Sequence, residues 1–318
     1  MKSLGIIGCG AVTQKQYAKV LGMFHEDVSI DYVFDLNDEL AALVAQQLGA
    51  KAVTKELLLS KSDIVVIATP PQSHFELIKD ALKPGNKVIC EKPFVGSIKE
   101  CNELIALAKE RKSELFVAHF RRTFPSVKLA QSIIKSKILG EVQAIEVYEG
   151  GKFSWITKSG YVYKDPFGGV LFDTGSHTID MALFIANIDT IGLEPKVVSI
   201  QKDKDEPAHD ITAKLKLTTA TSSIDLKIKL SRKLLLSNKI RITCQNGFID
   251  VPAATMANYI RISSPISSTI VYAADKYDDL MDCFAMQFKD MFFDVKDSVY
   301  DASRFINLTK ILEIIAKN

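Results

Sequence analysis

A chain of 318 residues with 47% hydrophobic and 25% charged side chains can build one large or two medium cores, and two domains is the natural division. The net charge of +2 and the scattered lysines offer no field for nucleic acid, and the apolar runs stop far short of the roughly 20 residues that span a bilayer. Five cysteines, odd in number and without C-x-x-C spacing, fit reduced thiols in a cytoplasm and no structural zinc or other metal site.

The N-terminal MKSLGIIGCGA holds a lysine and apolar residues, but a G-x-G turn follows where a signal peptide would stay apolar, so it reads as a first strand. Further strands are expected at 30–35, 63–69, 87–91 and 114–120, with helical patterns between them. Two of these helices show capping boxes, Ser73 with Glu76 and Ser97 with Glu100. The rhythm is that of β-α-β units in a doubly wound parallel Rossmann sheet, with its ligand crevice at the carboxyl ends of the strands. After a helix near 125–138 the pattern changes to long strands of period two. Ile211, Ala213, Leu215 and Leu217 share one face of 209–218, and Ile224, Leu226, Ile228 and Leu230 one face of 222–231; residues 239–244 continue the pattern. Such strands make a large open, mostly antiparallel sheet, and helices expected at about 175–187, 277–293 and 300–316 can cover its apolar face. The expected division is therefore an α/β dinucleotide domain over 1–120 and an α+β domain over 121–318.

The stretch GIIGCGAVT sets Gly8 and Gly10 between a strand and a helix opened by Ala11 and Val12, where backbone amides and the helix N-terminus can meet a pyrophosphate. Thr13 stands at the third glycine position and loosens the fingerprint. Asp35 ends the second strand 25 residues after Gly10, placed to accept both ribose hydroxyls and to repel a 2′-phosphate, which favours NAD over NADP. ATPPQSH at 68–74 adds Thr69 and Pro70 to the wall of the same crevice. His74 has two readings, one facing the cofactor and one decorating a helix's first turn. CEKPF ends another strand at this edge and brings Glu91 and Lys92 to it. Taken by itself, that charged pair reads equally well as a solvated strand end.

With G-I-I-G-C-G-A, T-P-P-Q-S-H, E-K-P at 91–93, AHFRR at 118–122 and GGVLFDTGSHTID at 168–180, the chain resembles the Gfo/Idh/MocA oxidoreductase family over essentially its whole length. The resemblance implies a catalytic group of Lys92, Asp173 and His177, a sugar or polyol as substrate, and a homodimer or homotetramer formed through the open sheet. It fits the chemistry of the residues. An ammonium at the crevice lip can steady the alkoxide that develops as hydride leaves carbon. Asp173 and His177, four residues apart, share a helix face if the helix begins at or just before Asp173, and the carboxylate then orients the imidazole. Lys92 and His177 are interchangeable candidates for the proton acceptor.

Arg121 and Arg122 follow the last strand of the first domain. Arg122 is assigned to the cofactor and Arg121 to a substrate anion, against an interdomain position in solvent. Trp155, Tyr161, Tyr163 and Phe167 gather just ahead of Asp173, where aromatic faces stack on the C–H face of a sugar; core or subunit packing explains them as well. The reading is an NAD-dependent oxidoreductase moving hydride between nicotinamide and a secondary alcohol or ketone of a sugar, polyol or nucleotide-linked sugar. The alternatives are a non-catalytic NAD-binding sensor of the same fold and a dihydrodiol- or biliverdin-type reductase.

Overall fold

The computed structural model describes residues 1–152, 165–275, 277–293 and 298–318. They form two compact units, Met1–His119 with Asp279–Ser303 and Phe120–Asp278 with Arg304–Asn318. The first crossing lies close to the expected division after residue 120, but the chain returns. The helix Leu280–Phe293, expected in the second domain, belongs to the first unit.

Its anchors explain why. Lys87, 2% exposed, donates from Nζ to the Met291 carbonyl and, at 3.0 Å, to that of Phe292, so a cation on a sheet strand closes the helix's C-terminal carbonyls. Tyr17 meets Phe284 and Phe288 edge-on, with ring centres 6.1 and 5.0 Å away. Neither partnership has a period in the sequence.

The first unit is built on a six-stranded parallel sheet of β1 (Lys2–Ile7), β2 (Val28–Phe34), β3 (Lys51–Ala52), β4 (Ile64–Ile67), β5 (Lys87–Glu91) and β6 (Glu114–Ala118), in the order β3-β2-β1-β4-β5-β6. All four residues of β4 are buried, as a parallel strand covered on both faces requires. At two residues, β3 is too short to show a pattern in the sequence. The strand order reverses between β1 and β4, which puts the ligand crevice at their carboxyl ends. Of the two expected caps, Ser97 Oγ accepts the Glu100 amide at 3.2 Å. Ser73 does not cap. Pro70 and Pro71 lead into a 3-10 turn, Pro71–Ser73, and the Ser73 hydroxyl turns back to Thr69 Oγ1 at 2.7 Å and the Pro70 carbonyl at 2.8 Å.

The second unit carries an eight-stranded sheet of β7 (Val142–Gly150), β8 (Glu194–Lys202), β9 (Asp210–Thr218), β10 (Ser223–Ser231), β11 (Lys239–Cys244), β12 (Gly247–Pro252), β13 (Tyr259–Ser263) and β14 (Ser268–Tyr272), in the order β14-β13-β12-β11-β7-β10-β9-β8. It is antiparallel except for the parallel β7–β10 pair. The inward residues expected on β9 and β10 are at most 3% exposed. Strand β7, unforeseen although it lies mid-sheet, points Ile145, Val147 and then Glu149 inward, so a charge interrupts its apolar face. The helix Ser176–Ile185 is buried at all ten positions, and its polar members find partners inside, Thr178 on Glu149 and Asp180 on Arg122.

Candidate active site

In the first unit the glycine turn forms because β1 and β4 end side by side. A Cβ on Gly8, whose φ is +100°, would lie 2.6 Å from the Ala68 carbonyl oxygen. Gly10 is different: no atom lies within 4 Å of where its Cβ would be, so its missing side chain leaves room for a ligand rather than for the protein. Thr13, at the third glycine position, donates its hydroxyl to the Gly8 carbonyl at 2.7 Å and replaces close packing with a hydrogen bond. It opens a π-helical turn, Thr13–Tyr17, just after Ala11 and Val12. Asp35 follows β2 and closes the turn, its Oδ2 accepting the Cys9 amide at 2.7 Å and its Oδ1 the Asn37 amide at 2.9 Å. Each carboxylate oxygen keeps a second lone pair for a ribose hydroxyl. Burial and the Asp35 charge push the Cys9 thiol up to about 12, so the turn holds no reactive thiolate. These residues fit a dinucleotide.

The two other loops at this edge are joined by His74, which is 0% exposed. Its Nδ1 lies 2.9 Å from the Pro93 carbonyl and 3.2 Å from that of Phe94, and its Nε2 lies 3.0 Å from that of Thr69. The expectation that His74 faces the cofactor is therefore corrected: it pins the turn after β4 to the turn after β5, while Pro70 is exposed at the rim. Glu91, half-buried at the end of β5, accepts the Tyr17 hydroxyl at Oε1 and the Lys92 amide at Oε2, the latter at 3.0 Å. Burial pushes its carboxyl above the ordinary range, against the opposing pull of the Tyr17 hydrogen bond and the Lys92 charge. The backbone that presents Lys92 is thus tied on both sides.

In the second unit Asp173 lies in a π-helical turn, Val170–Gly175, and His177 in the first turn of the helix that follows, so the expected helix entry at Asp173 is present with a wider turn than an α-helix. A Cβ on Gly175 would lie 2.7 Å from Leu230 Cδ1 on β10, so a larger residue there would have to displace that side chain. Asp173 Oδ2 accepts from Arg232 Nη2 at 2.8 Å, and Arg232 has a side chain only 4% exposed. Its own amide donates to the His209 carbonyl at 2.8 Å. Nothing in the sequence marks Arg232, an arginine just past a strand. The His177 ring packs edge-on against Phe120, with ring centres 5.4 Å apart.

The two arginines take different places from those expected. Arg122 has a fully buried side chain; its guanidinium binds Asp180 at 2.6 Å and Asp189 at 3.2 Å and lies over the rings of Phe184 and Phe305. It is a core cation of the second unit, and its expected cofactor contact is withdrawn. Arg121 directs both terminal nitrogens to Glu149, at 2.8 and 3.2 Å, and Glu149 also accepts the Thr178 hydroxyl beside His177. Its guanidinium is committed to that carboxylate rather than held ready for a substrate anion. Phe167, half-buried, meets Phe172 edge-on with ring centres 5.2 Å apart. Trp155, Tyr161 and Tyr163 lie outside the described residues.

A family model described as "Oxidoreductase family, NAD-binding Rossmann fold" matches residues 2–119, and one described as "GFO/IDH/MocA C-terminal domain" matches residues 127–249. UDP-N-acetylglucosamine 3-dehydrogenase of Acidithiobacillus ferrooxidans is 34% identical over 130 residues, 39% of this chain and 39% of its own length. Glucose-6-phosphate 3-dehydrogenase of Bacillus subtilis is 26% identical over 197 residues, 60% of this chain and 55% of that one. The chain spans well under half the length of several of the curated relatives it matches, 37% and 33% in two uncharacterised oxidoreductases of Schizosaccharomyces pombe. Among solved structures, KijD10, a 3-ketoreductase from Actinomadura kijaniata in complex with NADP and TDP-benzene, superposes with a TM-score of 0.79 at 16% identity, over 99% of this chain and 97% of that one. An Agrobacterium radiobacter oxidoreductase in complex with NAD+, L-tartaric acid and magnesium superposes with a TM-score of 0.76 at 18% identity, over 100% and 96%. At such identities the likeness is one of fold.

Proposed function

Because the chain belongs to the Gfo/Idh/MocA oxidoreductase family, we propose that it is a nicotinamide-dependent dehydrogenase or reductase acting on a secondary alcohol or ketone of a sugar, a polyol or a nucleotide-linked sugar. The observation that carries the reading is Asp35, tied to the Cys9 amide across an unobstructed Gly10 at the carboxyl edge of the parallel sheet. That carboxylate favours ribose hydroxyls over a 2′-phosphate, hence NAD over NADP. The bound nicotinamide would supply the hydride acceptor or donor at its C4. In the oxidative direction His177 takes the hydroxyl proton, and the Lys92 ammonium stabilises the negative charge developing on oxygen. Asp173, steadied by Arg232, keeps a negative charge available to the imidazole of His177 when that ring becomes cationic. In the reductive direction His177 returns the proton to the carbonyl oxygen. The presence of Lys92, Asp173 and His177 together favours an enzyme over a cofactor-binding sensor, which has no need of them.

The names of the relatives, which act on a nucleotide sugar and a sugar phosphate, support a substrate with an anionic appendage. Five free and buried cysteines suit a reducing cytoplasm, and no helix among the described residues is long and apolar enough to cross a membrane. Self-association through the exposed face of the eight-stranded sheet is part of the proposal, and a single 35.2 kDa species by light scattering would contradict it. The decisive experiment incubates the protein with NAD and, separately, NADP, across neutral sugars, inositols, sugar phosphates, nucleotide sugars and aromatic diols, read at the NADH absorbance band. Turnover of a hydroxylated ring with NAD is the expected result. Turnover confined to aromatic diols would replace this reading, and cofactor binding with no turnover would favour the sensor.

A further inference from the structure

Tyr17 is fully buried, and its ring is wedged edge-on between Phe284 and Phe288. Phenylalanine would serve such packing equally well. The hydroxyl instead points to the end of β5, where it donates to Glu91 Oε1, while Glu91 Oε2 receives the amide of Lys92 at 3.0 Å. On the far side of the lysine, His74 holds the carbonyls of Pro93 and Phe94. We propose that Tyr17 is a positioning residue for Lys92, acting through Glu91 to keep a carboxylate's negative charge beside the lysine ammonium. The meaning of this for catalysis rests on the dehydrogenase reading above.

The direction of the effect follows from the groups facing Glu91, which are the Tyr17 hydroxyl, the Cys90 thiol and Lys92. Burial pushes the Glu91 carboxyl up; the Tyr17 hydrogen bond, the Lys92 charge and the Lys92 amide pull it down. Removing the hydroxyl leaves burial less opposed and favours the neutral acid. A neutral Glu91 no longer stabilises the ammonium, so Lys92 loses its proton at lower pH. The turn itself stays pinned by His74, and the consequence is electrostatic.

The test is competitive acetylation with acetic anhydride over a range of pH, quantified lysine by lysine by mass spectrometry, on the full chain and on Tyr17→Phe. Lys92 should label about threefold faster at pH 8 in the variant, the effect of a fall of about half a pKa unit. Lys216, exposed on β9, should label equally in both proteins. Glu91→Gln should act in the same direction and serves as the second variant if Tyr17→Phe does not fold, as judged by thermal unfolding. Unchanged Lys92 labelling in a folded variant overturns the proposal. No substrate is needed, so the two readings separate: altered labelling together with normal turnover by Lys92→Met would remove Lys92 from catalysis and leave the Tyr17 linkage standing. In the active enzyme the pH profile of kcat should move in the same direction as the labelling.

Discussion

Around Lys92, in the first unit, the groups that meet are hydroxyl, amide, imidazole and carbonyl: Tyr17 and the Lys92 amide donate to Glu91, and the His74 ring nitrogens face the carbonyls of Pro93 and Phe94 on one side and of Thr69 on the other. Around His177, in the second unit, the ties are ion pairs with little exposed surface: Arg232 with Asp173, Arg121 with Glu149, and Arg122 with Asp180 and Asp189. The difference is one of what remains when a partner is lost. A severed hydrogen bond between an uncharged donor and its acceptor leaves a modest deficit, whereas a severed buried ion pair strands a charge in a medium that solvates it poorly. Substitutions in the first unit should therefore register mainly in function, and those in the ion pairs mainly in stability.

The largest expected effect tests whether the two environments serve one chemistry. Lys92→Met and His177→Ala should each lower kcat by roughly 10²–10⁴ while leaving NAD affinity, read by fluorescence titration, nearly unchanged. Normal turnover in either variant removes that residue from the mechanism; a variant that unfolds points to a structural role.

Arg122→Met should leave catalysis to fail only through instability, with unfolding in urea showing a loss of about 3–5 kcal/mol, because Asp180 is left buried without its cation while Asp189 keeps Arg304. The pH dependence has a definite sign. Burial already raises the Asp180 carboxyl above its ordinary value despite Arg122, so the stability it contributes is present below the unfolded carboxylate range and is lost as pH rises through the folded value. Without Arg122 the folded value rises further. The deficit of the variant should be greatest at neutral pH and shrink toward pH 4, and a deficit independent of pH would contradict the ion-pair account.

A smaller effect is expected at Asp35, which belongs to the hydrogen-bonded class. Asp35→Ser should narrow the preference for NAD over NADP and, by losing the acceptor of the Cys9 amide, cost about 1 kcal/mol of stability. Tighter binding of NADPH than NADH by the unsubstituted protein would show that the carboxylate does not select against the phosphate.

A feature shows in the sequence when a residue's partner is near along the chain or recurs with a period. The glycine turn, the Ser97 cap and the inward faces of β9 and β10 follow from spacing and alternation, and the structure has them as expected. The Ser73 cap does not, since two prolines turned the serine back on its own loop. Strand β7 went unseen because Glu149 breaks its apolar face, and that charge is acceptable only because Arg121 and Thr178 meet it there. Arg122 is expected at the cofactor because it follows a strand at the carboxyl edge of the parallel sheet; only packing shows Asp180 and Asp189 closing around it.

Local patterning is enough to place a parallel dinucleotide-type sheet ahead of a larger, mostly antiparallel one, because period-two and helical patterns dictate which faces must leave water. It also determined the residue types at the carboxyl edge, Gly8, Gly10, Asp35, Glu91 and Lys92, because turns and strand ends impose them locally. Long-range packing alone sets the helix Leu280–Phe293 in the first unit, Tyr17 on Glu91, His74 between two loops, and Arg232 on Asp173. These are pairings between residues distant along the chain. A hydrogen bond or ion pair acts over a few ångströms in space, and no local period records which remote side chain the fold will bring within that reach.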